Sequence, residues 1–289
     1  PRRSDGFIGA LDDLFIANRV MNGAEVRAAM AGRFSVKRER IFAAAPPVTP
    51  SWQLLAKLPI EEPVRCIGVT DNGDVYAGQH EGRVYRISSR DMIPQPQFPV
   101  FEDKLIEDVA TVGDAVFVCT HGHGVWRSLD SGKSWQQVGK SRIGAAIVAE
   151  VAGPRLYVGH NPGVSWTDDL GEGWESLQTP YGANVTAILP YGGTLYAGAR
   201  ALGGVYTNTT DPLSLIGLDG QYISFLARVN NRLYAVGDEA KVTEDGGTTW
   251  LPFPEARAFH HDGDDVYMVS SPFRIHRWSH ADDDWIPVT

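Results

Sequence analysis

The polar and apolar positions of this chain fall into a pattern that recurs six times. Each copy runs from a β-branched residue or Leu to an aromatic, then to small residues: Val75-Tyr76-Ala77-Gly78, Val116-Phe117-Val118, Leu156-Tyr157-Val158-Gly159, Leu195-Tyr196-Ala197-Gly198, Leu233-Tyr234-Ala235 and Val266-Tyr267-Met268. The interval between successive aromatics is nearly constant through the first five copies and shortens only before the last. Regular self-similarity at such a period marks a repeat architecture. Around each aromatic run the unit divides into four short apolar stretches separated by Gly, Asn and Asp. An example of the first stretch is Asn184-Val185-Thr186-Ala187-Ile188-Leu189, and Asp71-Asn72-Gly73-Asp74 is a typical turn. Four short strands per unit, six units from near Pro63 to Thr289, predict an all-β fold, a six-bladed β-propeller over residues 51–289.

The connection between the third and fourth strands is the most informative piece. It reads Ser128-Leu129-Asp130-Ser131-Gly132-Lys133-Ser134-Trp135 in the second unit, Thr167 to Trp174 in the third and Thr243 to Trp250 in the fifth. The Asp can accept backbone N–H groups of the turn, the Gly permits a left-handed backbone, and the Trp covers the blade edge. Asp130, Gly132, Trp135, Asp169, Gly171, Trp174, Asp245, Gly247 and Trp250 are therefore read as folding residues and not as catalytic carboxylates. The motif S/T-x-D-x-G-x-S/T-W resembles the Asp-box of the BNR-like propeller superfamily, over roughly residues 52–289. That superfamily includes sialidases, some glucan hydrolases, sortilin-type receptors and a photosystem II assembly factor. The resemblance implies either glycan chemistry or a binding role.

Residues 1–50 do not share the repeat. Phe7, Ile8, Leu11, Leu14 and Phe15 fall near helical spacing, with Ser4 or Asp5 as a cap and Asn22-Gly23 as an end. They predict a helical arm, followed by an Ala- and Pro-rich linker over 43–50. Two readings of the arm stand side by side: it packs against its own propeller, or those five apolar residues dock onto a protein partner. Trp52 to Leu58 resembles the fourth-strand copies, so it and Trp285–Thr289 compete as the outer strand that closes the ring.

Composition narrows the function. With 26 Lys and Arg against 35 Asp and Glu, the chain carries a net charge of −9, which disfavours nucleic acid as a partner. No apolar run approaches the roughly 20 residues of a membrane helix, and Asp12-Asp13 interrupts the first apolar stretch, against a signal peptide. Synthesis in the cytoplasm without export is the expected localisation. Cys66 and Cys119 both lie in apolar strand-like runs and are read as buried free thiols.

Chemistry is sought at the loops between second and third strands, on the face opposite the Asp-boxes. His80, His121, His123, His160, Arg200 and Asp238 fall there and form the candidate face for a partner or a glycan. No strict ligand spacing supports a metal, no phosphate- or dinucleotide-binding motif exists, and no cofactor is expected. Phe273-Arg274-Ile275-His276 resembles the F/Y-R-I-P motif of sialidases, but it lies in the last repeat, among ordinary third-strand residues. The paired carboxylates Asp12-Asp13, Glu61-Glu62 and Asp282 to Asp284 read as solvated surface, and neither an Arg triad nor a Tyr–Glu pair can be assembled. The expectation is a non-enzymatic binding or structural subunit, tethered by its arm to a larger assembly such as a virion or tail-like particle. The alternatives are a sialidase-like enzyme, identifiable by several Arg and at least two carboxylates around the central pocket, and an assembly factor for a membrane complex.

Overall fold

The computed structural model describes residues 63–79, 82–97, 101, 104–139, 143–200, 202–262, 265–271, 274–280 and 282–288, together with Phe15–Ile16, Gln53–Leu54 and Leu58. The described chain forms six four-stranded antiparallel sheets, each built from one contiguous stretch of sequence in the order first, second, third, fourth strand. Blade 1 comprises Val64–Val69, Val75–Gln79, Arg83–Ile87 and Pro94–Pro96, and blade 6 comprises Ala256–Asp262, Asp265–Ser270, Arg274–Ser279 and Asp284–Pro287. The arrangement is that of a six-bladed propeller. The aromatic runs that set the period are the second strands, each placed between the first and third strands of its blade.

Strand alternation gives every blade two apolar faces, and hydrophobic clusters join them pairwise. Tyr76 and Val84 of blade 1 meet Ile106, Val116 and Val118 of blade 2. Phe117 and Cys119 meet Ala146, Leu156 and Val158 of blade 3. Equivalent clusters join blades 3 and 4, 4 and 5, and 5 and 6. Small residues set the spacing of these seams. A Cβ at Gly78 would stand 2.6 Å from the Cys66 sulfur and 2.9 Å from Ile106, and one at Gly198 would stand 2.5 Å from Ile223.

The turns between third and fourth strands repeat one hydrogen-bond scheme. In blade 5 the buried Thr243 hydroxyl donates to Asp245 Oδ1 at 2.7 Å and accepts the Gly247 N–H at 3.0 Å; Asp245 Oδ1 also accepts the Thr249 N–H at 2.8 Å. Ser128, Asp130, Gly132 and Ser134 repeat the scheme in blade 2, and Thr167, Asp169, Gly171 and Gly173 in blade 3. These N–H donors and hydroxyls hold the Asp130 and Asp245 carboxyls down at about 2. Gly247 has φ of +101°, and a Cβ there would lie 2.4 Å from the Ile216 carbonyl oxygen of blade 4. The glycine thus serves both the turn and the fit to the preceding blade. The turn tryptophans do likewise: Trp135 packs into the seam with blade 1, Trp174 with blade 2, Trp250 with blade 4 and Trp285 with blade 5. Arg127, buried in blade 2, donates to the Leu170 carbonyl at 2.7 Å and to Glu172 at 2.8 Å in the turn of blade 3.

Two expectations need correction. Of the arm, only Phe15–Ile16 is described, and it is an extended strand paired antiparallel with Gln53–Leu54, not helix. The reason is local: a short apolar run such as Leu14-Phe15-Ile16 fits either period, and its aromatic and β-branched residues favour the strand. Phe7, Ile8, Leu11 and Leu14 lie outside the described residues, and no α-helix occurs among the described ones. The rivalry for closing the ring is also resolved for the described strands: Asp284–Pro287 is the fourth strand of blade 6, and Gln53–Leu54 joins none of the six sheets. Cys66 and Cys119 are free thiols, the first half-buried and the second buried, and burial raises both pKa values.

Candidate ligand-binding face

First strands of successive blades lie side by side around the axis, and every one of them is irregular at the same place. The register slips between Val64 and Cys66, Ile106 and Asp108, Ala146 and Val148, Val185 and Ala187, Ile223 and Phe225, and Ala256 and Ala258. Each slip is a β-bulge, which breaks local pairing and re-aims a side chain. The extra residues are Arg65, Glu107, Ile147, Thr186, Ser224 and Arg257, one per blade, at the strand ends nearest the loops between second and third strands. All six bulges lie at one end of the ring, its channel mouth, opposite the Asp-Gly-Trp turns.

The mouth is charged and internally coupled. Arg65 of blade 1 donates to Glu107 Oε2 of blade 2. The other Glu107 oxygen stands 3.4 Å from His121 Nδ1. The Glu107 side chain is only 11% exposed, against 44% for Arg65 and 50% for His121, so the two basic groups screen a carboxylate set into the wall. Tyr222, just before the first strand of blade 5, donates its N–H to Asp238 Oδ2 at 3.0 Å, and its carbonyl accepts the Asp238 N–H at 3.1 Å. Burial pushes the Tyr222 phenol above its usual range; Arg200 and Arg65 pull it down, while Asp238 and Glu107 push it up. These charged residues belong to blades 4, 1, 5 and 2. Arg200 is exposed, and among the described residues no ion pair holds it.

Behind the mouth the wall is structural. Asp108 accepts the N–H groups of Val109 and, across the seam, of Ala149 in blade 3, both at 2.8 Å. Burial outweighs these bonds and raises its carboxyl to about 6. The Thr186 hydroxyl, of blade 4, reaches the Ile223 carbonyl of blade 5 at 2.5 Å.

The residues singled out from the sequence divide accordingly. His121, Arg200 and Asp238 belong to the mouth. His123 is exposed beside it, its carbonyl accepting from Gln137. His160 is buried, bonded through Nε2 to Ser165 Oγ at 2.7 Å, and burial lowers its pKa; it is a neutral wall residue. His80 lies outside the described residues, as do Asp12, Asp13, Glu61 and Glu62. Arg274 opens the third strand of blade 6. Among the described residues no three His, Cys, Asp or Glu side chains gather as metal ligands, and no helix is long and apolar enough to cross a membrane. Arg65, Glu107, Tyr222 and Arg257 escape the sequence reading. Their signal was present: the bulge residue stands ten positions before the second-strand aromatic in five units and eleven in the first.

The mouth does contain Arg, carboxylate and Tyr groups, the inventory a sialidase-like site would need. Burial raises the Tyr222 phenol, and Glu107 is engaged by Arg65 and His121.

Neither a family model nor a curated protein matches the sequence. Solved structures do. YCF48 bound to D1 peptide aligns with a TM-score of 0.60 at 13% identity, over 80% of this chain and 82% of that one. YCF48 from Cyanidioschyzon merolae gives 0.57 at 14%, over 80% and 86%, and BamB from Moraxella catarrhalis 0.57 at 11%, over 82% and 76%. At these identities the likeness is one of fold: this chain is similar to propellers of that kind.

Proposed function

We propose that this chain is a non-catalytic, Asp-box-type binding propeller that holds a polypeptide segment of a larger assembly in its channel mouth. The observation that carries the proposal is the ring of six bulges on a scaffold braced seam by seam, with Arg200 exposed and uncommitted among the described residues and Tyr222 half-buried on the same rim. A rigid scaffold lowers the ordering cost of binding. The mouth carries Arg65, Arg200 and Arg257 against Glu107 and Asp238, a cationic excess on a chain of net charge −9, which favours a segment with acidic side chains. A propeller of the same fold whose ligand is a peptide supports this class of ligand.

The test is selection of a displayed library of random dodecapeptides on the full chain. Enriched peptides should carry Asp or Glu. They should lose at least tenfold in affinity on Arg200→Glu or Arg65→Ala, and keep it on Leu129→Ser, an exposed change on the opposite face. No enrichment, or enrichment indifferent to the mouth variants, refutes the proposal.

A further inference from the structure

Four hydrophobic residues among the described ones hold a left-handed backbone: Met92, Leu170, Leu202 and Leu218, with φ between +56° and +61°. That conformation crowds Cβ against the following carbonyl and costs folding energy. In three of the four, packing offsets the cost. Met92 lies against the cluster of Val69, Val75 and Ile87 in blade 1, Leu170 against the seam of blades 2 and 3, and Leu218 against the seam of blades 4 and 5. Leu202 is 59% exposed and belongs to none of the hydrophobic clusters of the described residues. Backbone strain without packing in return persists only where the surrounding structure imposes it, and it points to a use outside the core.

Leu202 stands in the loop between the second and third strands of blade 4, Thr194–Arg200 and Gly204–Thr207, on the rim that carries Arg200. The loop is clamped. The hydroxyl of buried Tyr206 donates to the Leu202 carbonyl at 2.8 Å, and the Gly220 N–H donates to the Gly203 carbonyl at 3.2 Å. A Cβ at Gly203 would lie 1.9 Å from the Gln221 carbonyl oxygen, so the next blade's approach closes over the turn. In the corresponding loops of blades 1 and 2, Gly82 and Gly122 take the left-handed backbone, with φ of +74° and +76°, and present no side chain. The blade 4 loop is one residue longer than that of blade 2, counted between the paired residues Ala199 and Gly204 and between Thr120 and Gly124. A second leucine lies against it: Leu215 is 41% exposed, and its Cδ1 is 2.6 Å from where a Cβ of Gly204 would stand. Exposed apolar surface grouped in this way beside a charged rim marks an interaction site.

We propose that Leu202 is the apolar recognition residue of the channel mouth, and that with Arg200 it selects an extended partner segment bearing a large apolar residue two positions from an Asp or Glu. This rests on the reading of the mouth as a polypeptide-binding face. Arg200 and Leu202 leave one clamped loop two residues apart, a backbone span of at most about 7 Å. Side chains at i and i+2 of an extended segment point the same way, about 6.6 Å apart, so one meets the guanidinium while the other covers the leucine. The charge fixes orientation and register, the covered leucine supplies apolar area removed from water, and the clamped loop has little freedom to lose.

Displayed dodecapeptides with Asp fixed at the sixth position and the rest random, selected in parallel on the full chain and on its Leu202→Asn variant, test this. Asn tolerates the left-handed backbone, so the substitution removes apolar surface and keeps the loop. Peptides enriched on the wild-type chain should carry Leu, Ile, Met, Phe or Trp two positions from the fixed Asp. They should lose at least tenfold in affinity on Leu202→Asn and keep it on Leu202→Met. Selection on Leu202→Asn should still enrich peptides, without that apolar preference. Leu202→Asn should melt no lower than wild type, because the leucine packs into no cluster. Enrichment on the wild-type chain without the apolar preference, or equal affinity for wild type and Leu202→Asn, overturns the inference and leaves the peptide-binding reading standing. A lowered melting temperature also overturns it, because the leucine then serves the fold. No enrichment on either chain refutes the peptide-binding reading itself, and the inference with it.

Discussion

Replacing Thr243 by Val keeps the shape of the side chain and removes only its hydroxyl, so it isolates the hydrogen bonding of the blade 5 turn. In the folded protein that hydroxyl is buried, donates to Asp245 at 2.7 Å and accepts the N–H of buried Gly247 at 3.0 Å. The variant leaves the Gly247 N–H without a partner and out of water, which costs about 1–3 kcal/mol. Asp245 loses one donor but keeps the Thr249 N–H, so a total of about 2 kcal/mol is expected. For a domain of this size that lowers Tm by roughly 4–8 °C. Thr249→Ala, at an exposed position of the same turn, should cost no more than about 0.5 kcal/mol. Ser128→Ala and Thr167→Val repeat the perturbation in other blades, far enough apart for their costs to add. Urea denaturation followed by far-ultraviolet circular dichroism measures all four. The reasoning is refuted if Thr243→Val is no more destabilising than an ordinary surface change, about 0.5 kcal/mol or less, or if Thr249→Ala costs as much as Thr243→Val.

Other consequences follow from the seams and the wall. Arg127→Met removes three donated bonds that brace blade 2 to the turn of blade 3 and within blade 2, and should destabilise by about 2–3 kcal/mol in the same denaturation assay. Gly198→Ala places a methyl 2.5 Å from Ile223 and should cost about 1–3 kcal/mol through overpacking, and Gly192→Ala, with nothing within 4 Å but a φ of +58°, should cost about 1–2 kcal/mol through backbone strain alone. The pH profile of Tm should have two limbs. Asp108 titrates near 6 when folded and near 3.8 when unfolded, so its penalty is present in full above pH 6 and is relieved as pH falls toward 4. That gain, on the order of 3 kcal/mol, should vanish in Asp108→Asn. Asp130 and Asp245, held at about 2, contribute stability above pH 4 that is lost as pH falls toward 2.

Much of this fold was legible because a propeller is periodic. The aromatic of each second strand, the four-strand unit and the Asp-Gly-Trp turns all repeat, and each copy supports the others. Phe15 was read as helix for the opposite reason: the short apolar run Leu14-Phe15-Ile16 lies outside the repeat, with no period to arbitrate between helix and strand. The mouth was half legible. His121, Arg200 and Asp238 could be placed by counting forward from the aromatics, but His160, one position short of the same count, faces inward, since one register step separates wall from rim. Arg65, Glu107 and Arg257 depend on bulges that no hydrophobic pattern announces, and Tyr222 acquires its significance only when four blades are brought around it.

The central claim is that the channel mouth, not the opposite face with its Asp-Gly-Trp turns, is where this propeller meets another protein. A photoreactive amino acid placed at position 121 and, separately, at position 129, followed by irradiation in the native cell, tests it most directly. The account predicts discrete protein adducts from position 121, abolished by adding Arg200→Glu, and none from position 129. Adducts from position 129 alone, or adducts from position 121 that survive Arg200→Glu unchanged, would contradict it.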